Sequence, residues 1–195
     1  MKKTLSFLAL LLAIAAMPEI AKAEPLVFTT TLRGTNEVPP NASPGIGSAV
    51  VTVDGDTLTV NVTFSGLLGN TTASHIHCCT GPTANAPVAT AVPTFPGFPG
   101  GVTSGTYSMS FDLNAASTYN PAFITAHGGT VASARADFIA GLQAGQTYFN
   151  IHTNPFPGGE IRGQLQPVPE PVTMLLLGTG LAGVAGRALR RRRGK

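Results

Sequence analysis

Two β-rich runs, Gly47 to Val53 and Thr57 to Phe64, flank Asp54-Gly55-Asp56, and no other stretch limits the fold of this chain so tightly. Leu58, Val60, Val62 and Phe64 alternate with Thr59, Asn61 and Thr63. Strand side chains point alternately to the two faces of a sheet, so this period of two places one apolar face against a core and one polar face outward. Asp-Gly between two such runs is a strong hairpin signal, because glycine takes the positive φ that a two-residue turn requires.

The rest of the body reads in the same way. Leu26 to Leu32 forms a first strand, ended by the loop Arg33-Gly34-Thr35-Asn36-Glu37-Val38-Pro39-Pro40. Ser74 to Cys78 is a short strand, the Pro/Gly-rich stretch Gly81 to Gly101 reads mainly as loop, and Val102 to Leu113 restores the alternation. Thr147 to Thr153 and Gly159 to Leu165 form a closing pair around Asn154-Pro155-Phe156-Pro157-Gly158. A single helix is predicted from about Thr130 to Leu142, where Val131, Ala134, Phe138 and Leu142 fall along one face and Gly145 lies beyond the end. Neighbouring hairpins dominate this order, which predicts a mainly β chain: an antiparallel sandwich or barrel with one short helix against a sheet edge.

Both ends carry sorting features. Lys2-Lys3 precede the apolar stretch Leu5 to Ala16, and Ala21-Lys22-Ala23 has the small-x-small pattern of a cleavage site. Residues 1–23 are therefore expected to be a signal peptide cut by signal peptidase. At the other end, Pro169-Glu170-Pro171 stops any helix or central strand. An apolar helix is expected over 172–189, followed by Arg190, Arg191, Arg192 and Arg193, which the positive-inside rule keeps in the cytoplasm. At 1.5 Å per residue that helix is about 27 Å long and contains Arg187, a marginal span that suits a transient membrane intermediate.

The tail over 167–195 resembles the PEP-CTERM sorting signal of Gram-negative bacteria. The resemblance implies recognition by an exosortase and passage from the inner membrane to the cell surface or the medium. An ordinary C-terminal membrane anchor is the alternative.

The formal net charge of +3 belongs to these ends. From Glu24 to Val168 only Arg33, Arg135 and Arg162 stand against Glu24, Glu37, Asp54, Asp56, Asp112, Asp137 and Glu160. A mildly acidic body has no polyanion footprint, so no nucleic-acid partner is expected.

The body, 24–166, resembles the CHRD domain, a module first described in chordin and found in many exported bacterial proteins. The resemblance is carried by Leu32-x-Gly34-x-Asn36-Glu37-Val38-Pro39-Pro40, His75-Ile76-His77, Tyr148-x-Asn150-Ile151-His152-Thr153 and Gly158-Gly159-Glu160-Ile161-Arg162-Gly163. It implies an immunoglobulin-like β fold outside the cytoplasm and supplies no catalytic chemistry.

Three of the four histidines sit in two matching contexts. On a strand His75 and His77 share a face while Ile76 goes to the other, and a neighbouring strand carrying His152 brings a third imidazole beside them. Three imidazoles suit copper or zinc, with Glu160 and Glu37 as candidates for a fourth ligand or for orienting an imidazole. The alternative is a hydrogen-bond network tying strand ends together, with Arg162 paired to Glu37 or Glu160. His-x-His on a β-sandwich is also similar to the copper ligands of Cu/Zn superoxide dismutase. That family's zinc loop and bridging histidine are not recognisable here, which leaves a dismutase assignment unsupported.

Cys78-Cys79 is the only cysteine pair in a chain bound for an oxidising compartment. Its readings are a redox or soft-metal site beside the histidines, two buried thiols, or a bridge between neighbours. No Gly-x-Ser-x-Gly elbow or phosphate loop occurs. The expectation is an exported, non-enzymatic β protein with a binding or structural role in the envelope or extracellular matrix, its partners exopolysaccharide or envelope proteins. A copper or zinc protein, carrier or redox enzyme, is the alternative.

Overall fold

The computed structural model describes residues 24–169. Among these residues there are eight strands: β1 (Leu26–Arg33), β2 (Ile46–Asp54), β3 (Thr57–Ser65), β4 (Thr71–Cys78), β5 (Gly105–Asp112), β6 (Thr147–Thr153), β7 (Ile161–Gln164) and β8 (Gln166–Pro167). All pair antiparallel in the order β4-β6-β7-β1-β2-β3-β5, with β8 beside β1, and the sheet curls into a half-barrel. The mainly β class predicted from the sequence holds. The signal peptide, the apolar helix 172–189 and the sorting signal from Glu170 onward lie outside the described residues. No helix among the described residues is long and apolar enough to cross a membrane.

The predicted hairpin forms with Val53 opposite Leu58 and Asp54 opposite Thr57, which leaves Gly55-Asp56 as the two-residue loop. Gly55 has φ 59° and holds the first central position, where a mirror-image turn demands glycine. Leu58, Val60, Val62 and Phe64 are all buried, together with Ala49, Val51 and Val53 of the partner strand. The curl brings β4 and β6 over the same core, where Ile76, Phe149 and Ile151 meet Phe95, Tyr119 and Phe138.

Among the described residues two α-helices occur where one is predicted. Helix α1 (Pro121–Ala126) starts at Asn120, whose side chain accepts from the Ala122 N–H at 3.0 Å, and has proline in its first turn. At six residues it is too short to show a helical period. Helix α2 (Val131–Gln143) opens on a capping box formed by Thr130 and Ser133, and it buries Ala134, Phe138 and Leu142. Arg135 of α2 fastens the hairpin turn by donating to Gly55 O at 3.1 Å and to Asp56 Oδ1 at 2.6 Å.

The core-facing side of β4 and β6 is ordinary; their opposite side is not. Even-numbered positions 148, 150 and 152 of β6 face away from Phe149 and Ile151. In register, His75 lies opposite Asn150, His77 opposite Tyr148 and Ala73 opposite His152. Beyond β6, Arg162 of β7 lies opposite Asn150 and Gln164 opposite Tyr148. These polar residues would meet water in a sheet covered on one side only.

Here His75, His77, Tyr148 and Arg162 are roofed by the Pro/Gly-rich stretch, which binds along the free edge of β4 through Cys78 N–H to Pro87 O (3.2 Å), Ala89 N–H to Ile76 O (3.0 Å) and Phe95 N–H to Ser74 O (3.2 Å). Thr90 and Thr94 hydroxyls accept the Ile76 and Ser74 N–H groups that this irregular backbone leaves. The segment that reads as loop thus closes an edge and covers a face.

Candidate metal centre

His75 and His77 leave the same side of β4 and His152 leaves β6 beside them, with ring centroids 5.2 Å (His75–His152) and 5.9 Å (the other two pairs) apart. His75 is 7% and His77 8% exposed, and His152 is half-buried. One nitrogen of each lies within 4.8 Å of the others. At metal–nitrogen distances near 2.0 Å, three ligands sit about 3.3 to 3.5 Å apart, so small ring movements close the site.

The remaining nitrogens decide which atoms face inward. His75 Nε2 meets Pro93 O at 2.8 Å, His77 Nδ1 meets Ala86 O at 2.8 Å, and His152 Nδ1 meets Pro157 O at 3.0 Å. A carbonyl oxygen can only accept, so each of these nitrogens carries the proton of a neutral imidazole. The lone pairs of His75 Nδ1, His77 Nε2 and His152 Nε2 therefore point into the cluster, and all three atoms are buried without a hydrogen-bond partner. Backbone carbonyls that fix the tautomer in this way are the usual outer support of a metal-binding histidine.

Burial also keeps the imidazoles unprotonated. Desolvation lowers His75 to about 4, helped by His152 and opposed by the Pro93 hydrogen bond. Desolvation likewise brings His77 to about 4 against the Ala86 hydrogen bond, with His152, His75 and Arg162 pushing the same way as burial. His152 is lowered by desolvation, against its bond to Pro157. Unprotonated imidazole is the form that binds a metal.

The other predicted ligands sit elsewhere. Neither glutamate belongs to the cluster. Glu160 is fully buried, with Oε1 accepting from Ser43 Oγ (2.6 Å) and Leu68 N–H (2.6 Å) and Oε2 from Gly69 N–H (3.2 Å) and Thr153 Oγ1 (2.6 Å). Its role is to tie loops to the end of β6. Glu37 is buried, and desolvation raises it to about 7 against the pull of Arg162.

Arg162 forms no ion pair with either glutamate. It donates to Asn85 Oδ1 (2.8 Å), Pro82 O (2.9 Å) and Ala84 O (3.1 Å), all in the covering segment. Cys78, buried on the core side of β4 away from the imidazoles, is bridged to the exposed Cys79 just beyond the strand, and both sulfurs face Gly141 of α2. His127 lies beyond α1, bonded to Asp137 at 2.8 Å.

Sequence reasoning did not identify Tyr148 and Arg162 as parts of this centre. Tyr148 stacks on His77 with centroids 4.6 Å apart and planes 7° off parallel, and the Arg162 guanidinium lies 4.1 Å from the tyrosine centroid. The period of two that pairs His75 with His77 also places Tyr148 on the face of His152, and that was the available signal. The supporting carbonyls carried none.

The chain matches the CHRD domain over residues 28–165 and the PEP-CTERM protein-sorting motif over residues 167–193. No curated protein and no solved structure matches it. The sorting motif marks a protein exported through the membrane to the cell surface or extracellular space. With the model match covering most of its length and the strands, register and loops described above, the chain belongs to the CHRD domain family.

Proposed function

We propose that this exported domain is a metal-binding module that holds one copper or zinc ion between His75, His77 and His152. The observation that carries the reading is the set of three buried, unpartnered lone pairs facing one another. Leaving one buried acceptor unsatisfied costs about 1–3 kcal/mol, and three together call for a shared electrophile. The test is metal analysis of the protein purified from its host, followed by calorimetric titration of the chelated protein with copper and zinc salts. One equivalent per chain, lost in His77→Ala and in His152→Ala, is the expected result. Heats no larger than dilution, or isotherms unchanged by both substitutions, would end the reading.

Delivery follows from the two ends. Signal peptidase cuts after Ala23, the domain occupies 24–166, and an exosortase acts near Pro169-Glu170-Pro171 while the apolar helix holds the tail in the inner membrane. Mass spectrometry of the mature ends tests both cuts.

A second reading, a binding or structural role in the extracellular matrix, is favoured by the outer face of β2, β3 and β5. Paired hydroxyls and amides line it, Ser48 with Thr63 (2.9 Å), Asn61 with Ser108 (2.7 Å) and Thr59 with Ser110 (2.9 Å). Such a face, lined by hydroxyls and amides with Asp54 and Asp112 at its hairpin end, suits exopolysaccharide or an envelope protein. Co-sedimentation with extracted exopolysaccharide, abolished by Asn61→Lys, is the expected outcome; no co-sedimentation removes the polysaccharide partner.

A further inference from the structure

We infer that the three-histidine centre is selective for monovalent copper, Cu(I), over the divalent ions Cu(II) and Zn(II). The inference rests on the metal-binding reading and adds the charge state of the ion.

The ligand set is neutral. Each imidazole keeps its single N–H on a carbonyl, of Pro93, Ala86 or Pro157, so none is placed to become an imidazolate. Among the described residues the cluster includes no carboxylate and no thiolate. Glu160 has both oxygens committed to four donors, and the cysteine sulfurs are bonded to each other on the far side of β4. The cost of burying an ion grows with the square of its charge, so without an anionic ligand a divalent ion meets about four times the Born penalty of a monovalent one. Structural zinc sites commonly meet that penalty with thiolates or a carboxylate.

The nearest stacked charge adds to this bias. Arg162 presses its guanidinium on Tyr148, and Tyr148 lies flat on His77. A cation is therefore held one aromatic ring away from a ligand, in a layer where Arg162 is only 1% exposed. Coulomb repulsion between Arg162 and the bound ion is twice as large for a divalent ion as for a monovalent one, and low exposure limits its screening.

Coordination number points the same way. The protein offers three inward nitrogens. Zn(II) takes four ligands and would have to bring water or hydroxide as the fourth, and Cu(II) prefers a tetragonal set. Cu(I) shares the filled d shell of Zn(II) but carries half its charge, so three neutral imidazoles serve it without the water or hydroxide that Zn(II) recruits as a fourth ligand.

The experiment uses the exported full chain, stripped of metal and kept anaerobic. Cu(I) is offered from a chromophoric Cu(I) chelator, and Cu(II) sulfate and zinc chloride are titrated separately. One equivalent of Cu(I) is expected, with Cu(II) and Zn(II) each bound at least about tenfold more weakly. His152→Asp, checked for folding by circular dichroism, places a carboxylate on the half-buried side of the site. It is expected to narrow the Cu(I)-over-Zn(II) ratio by about tenfold.

Equal or tighter binding of either divalent ion by the native protein, or an unchanged ratio in folded His152→Asp, overturns the Cu(I) selectivity and leaves the metal reading standing. No binding of any of the three ions overturns the metal reading, and the selectivity with it.

Discussion

Tyr148 lies flat against His77, rings 4.6 Å apart and 7° from parallel, and its hydroxyl meets the N–H (3.2 Å) and the carbonyl (3.3 Å) of Ala86, the residue whose oxygen also holds His77 Nδ1. One aromatic side chain thus sets the plane of a candidate ligand and anchors the carbonyl that fixes its tautomer. Tyr148→Phe keeps the stack and loses the hydroxyl bonds, so it should cost about 1 kcal/mol of stability and leave metal stoichiometry intact. Tyr148→Ala removes both, and should cost about 3–4 kcal/mol and weaken metal binding as well. Denaturant unfolding alongside metal titration separates the two effects.

Acid should loosen the metal-free protein. Burial pushes His75 and His77 down to about 4 from the ordinary 6.5, and it lowers His152 too. Below 6.5 the unfolded chain takes up these protons first, so their contribution is full above 6.5 and is lost as the pH falls toward 4. Glu37 works the other way: raised from 4.5 to about 7, it contributes fully below 4.5 and loses that contribution as the pH rises through 7. Thermal unfolding in chelator should therefore show a net fall in Tm between pH 6.5 and pH 4.5, since three histidines oppose one glutamate. Glu37→Gln should raise the Tm relative to the native protein more at pH 8 than at pH 4.5; equal shifts at both would mean that Glu37 is not titrating in this range.

Glu160 is predicted to be a stability residue. Removing its carboxylate in Glu160→Ala strands the donors of Ser43, Leu68, Gly69 and Thr153 in the interior. A loss of about 3 kcal/mol or more in denaturant unfolding is expected, with one metal equivalent still bound by the folded fraction. Loss of the metal heat in folded protein would instead return Glu160 to the ligand set.

Helix α2 approaches the cysteine pair through Gly141. A methyl group there would come within 2.6 Å of Cys78 Sγ and 2.8 Å of Cys79 Sγ. Although alanine is the better helix former, Gly141→Ala should destabilise by about 1–3 kcal/mol, because a rigid buried neighbour cannot move aside. A neutral or stabilising result would show that α2 can shift away from β4.

Period and punctuation explain what could be read before the fold was known. The hairpin of β2 and β3 needs only alternation and a turn glycine, both contained within 20 residues, and α2 announces itself through its face and its end. The sharing of one face by His75 and His77 follows from strand geometry alone. Helix α1 was hidden by its length, and the covering role of the Pro/Gly-rich stretch by its lack of any repeat.

The sequence by itself determined the β class, the sorting route and the residue types able to hold a metal, because alternation, turn chemistry and sorting signals are local properties of the chain. Tertiary structure alone decided that β4 pairs with β6, which brings His152 to His75 and His77. It also decided that Ala86, Pro93 and Pro157 carbonyls turn the three lone pairs inward, that Glu160 is spent on loop donors, and that Arg162 and Tyr148 back the site. Each of these depends on burial and on contacts between distant segments, and no local pattern encodes the atoms that a folded sheet brings within hydrogen-bond reach.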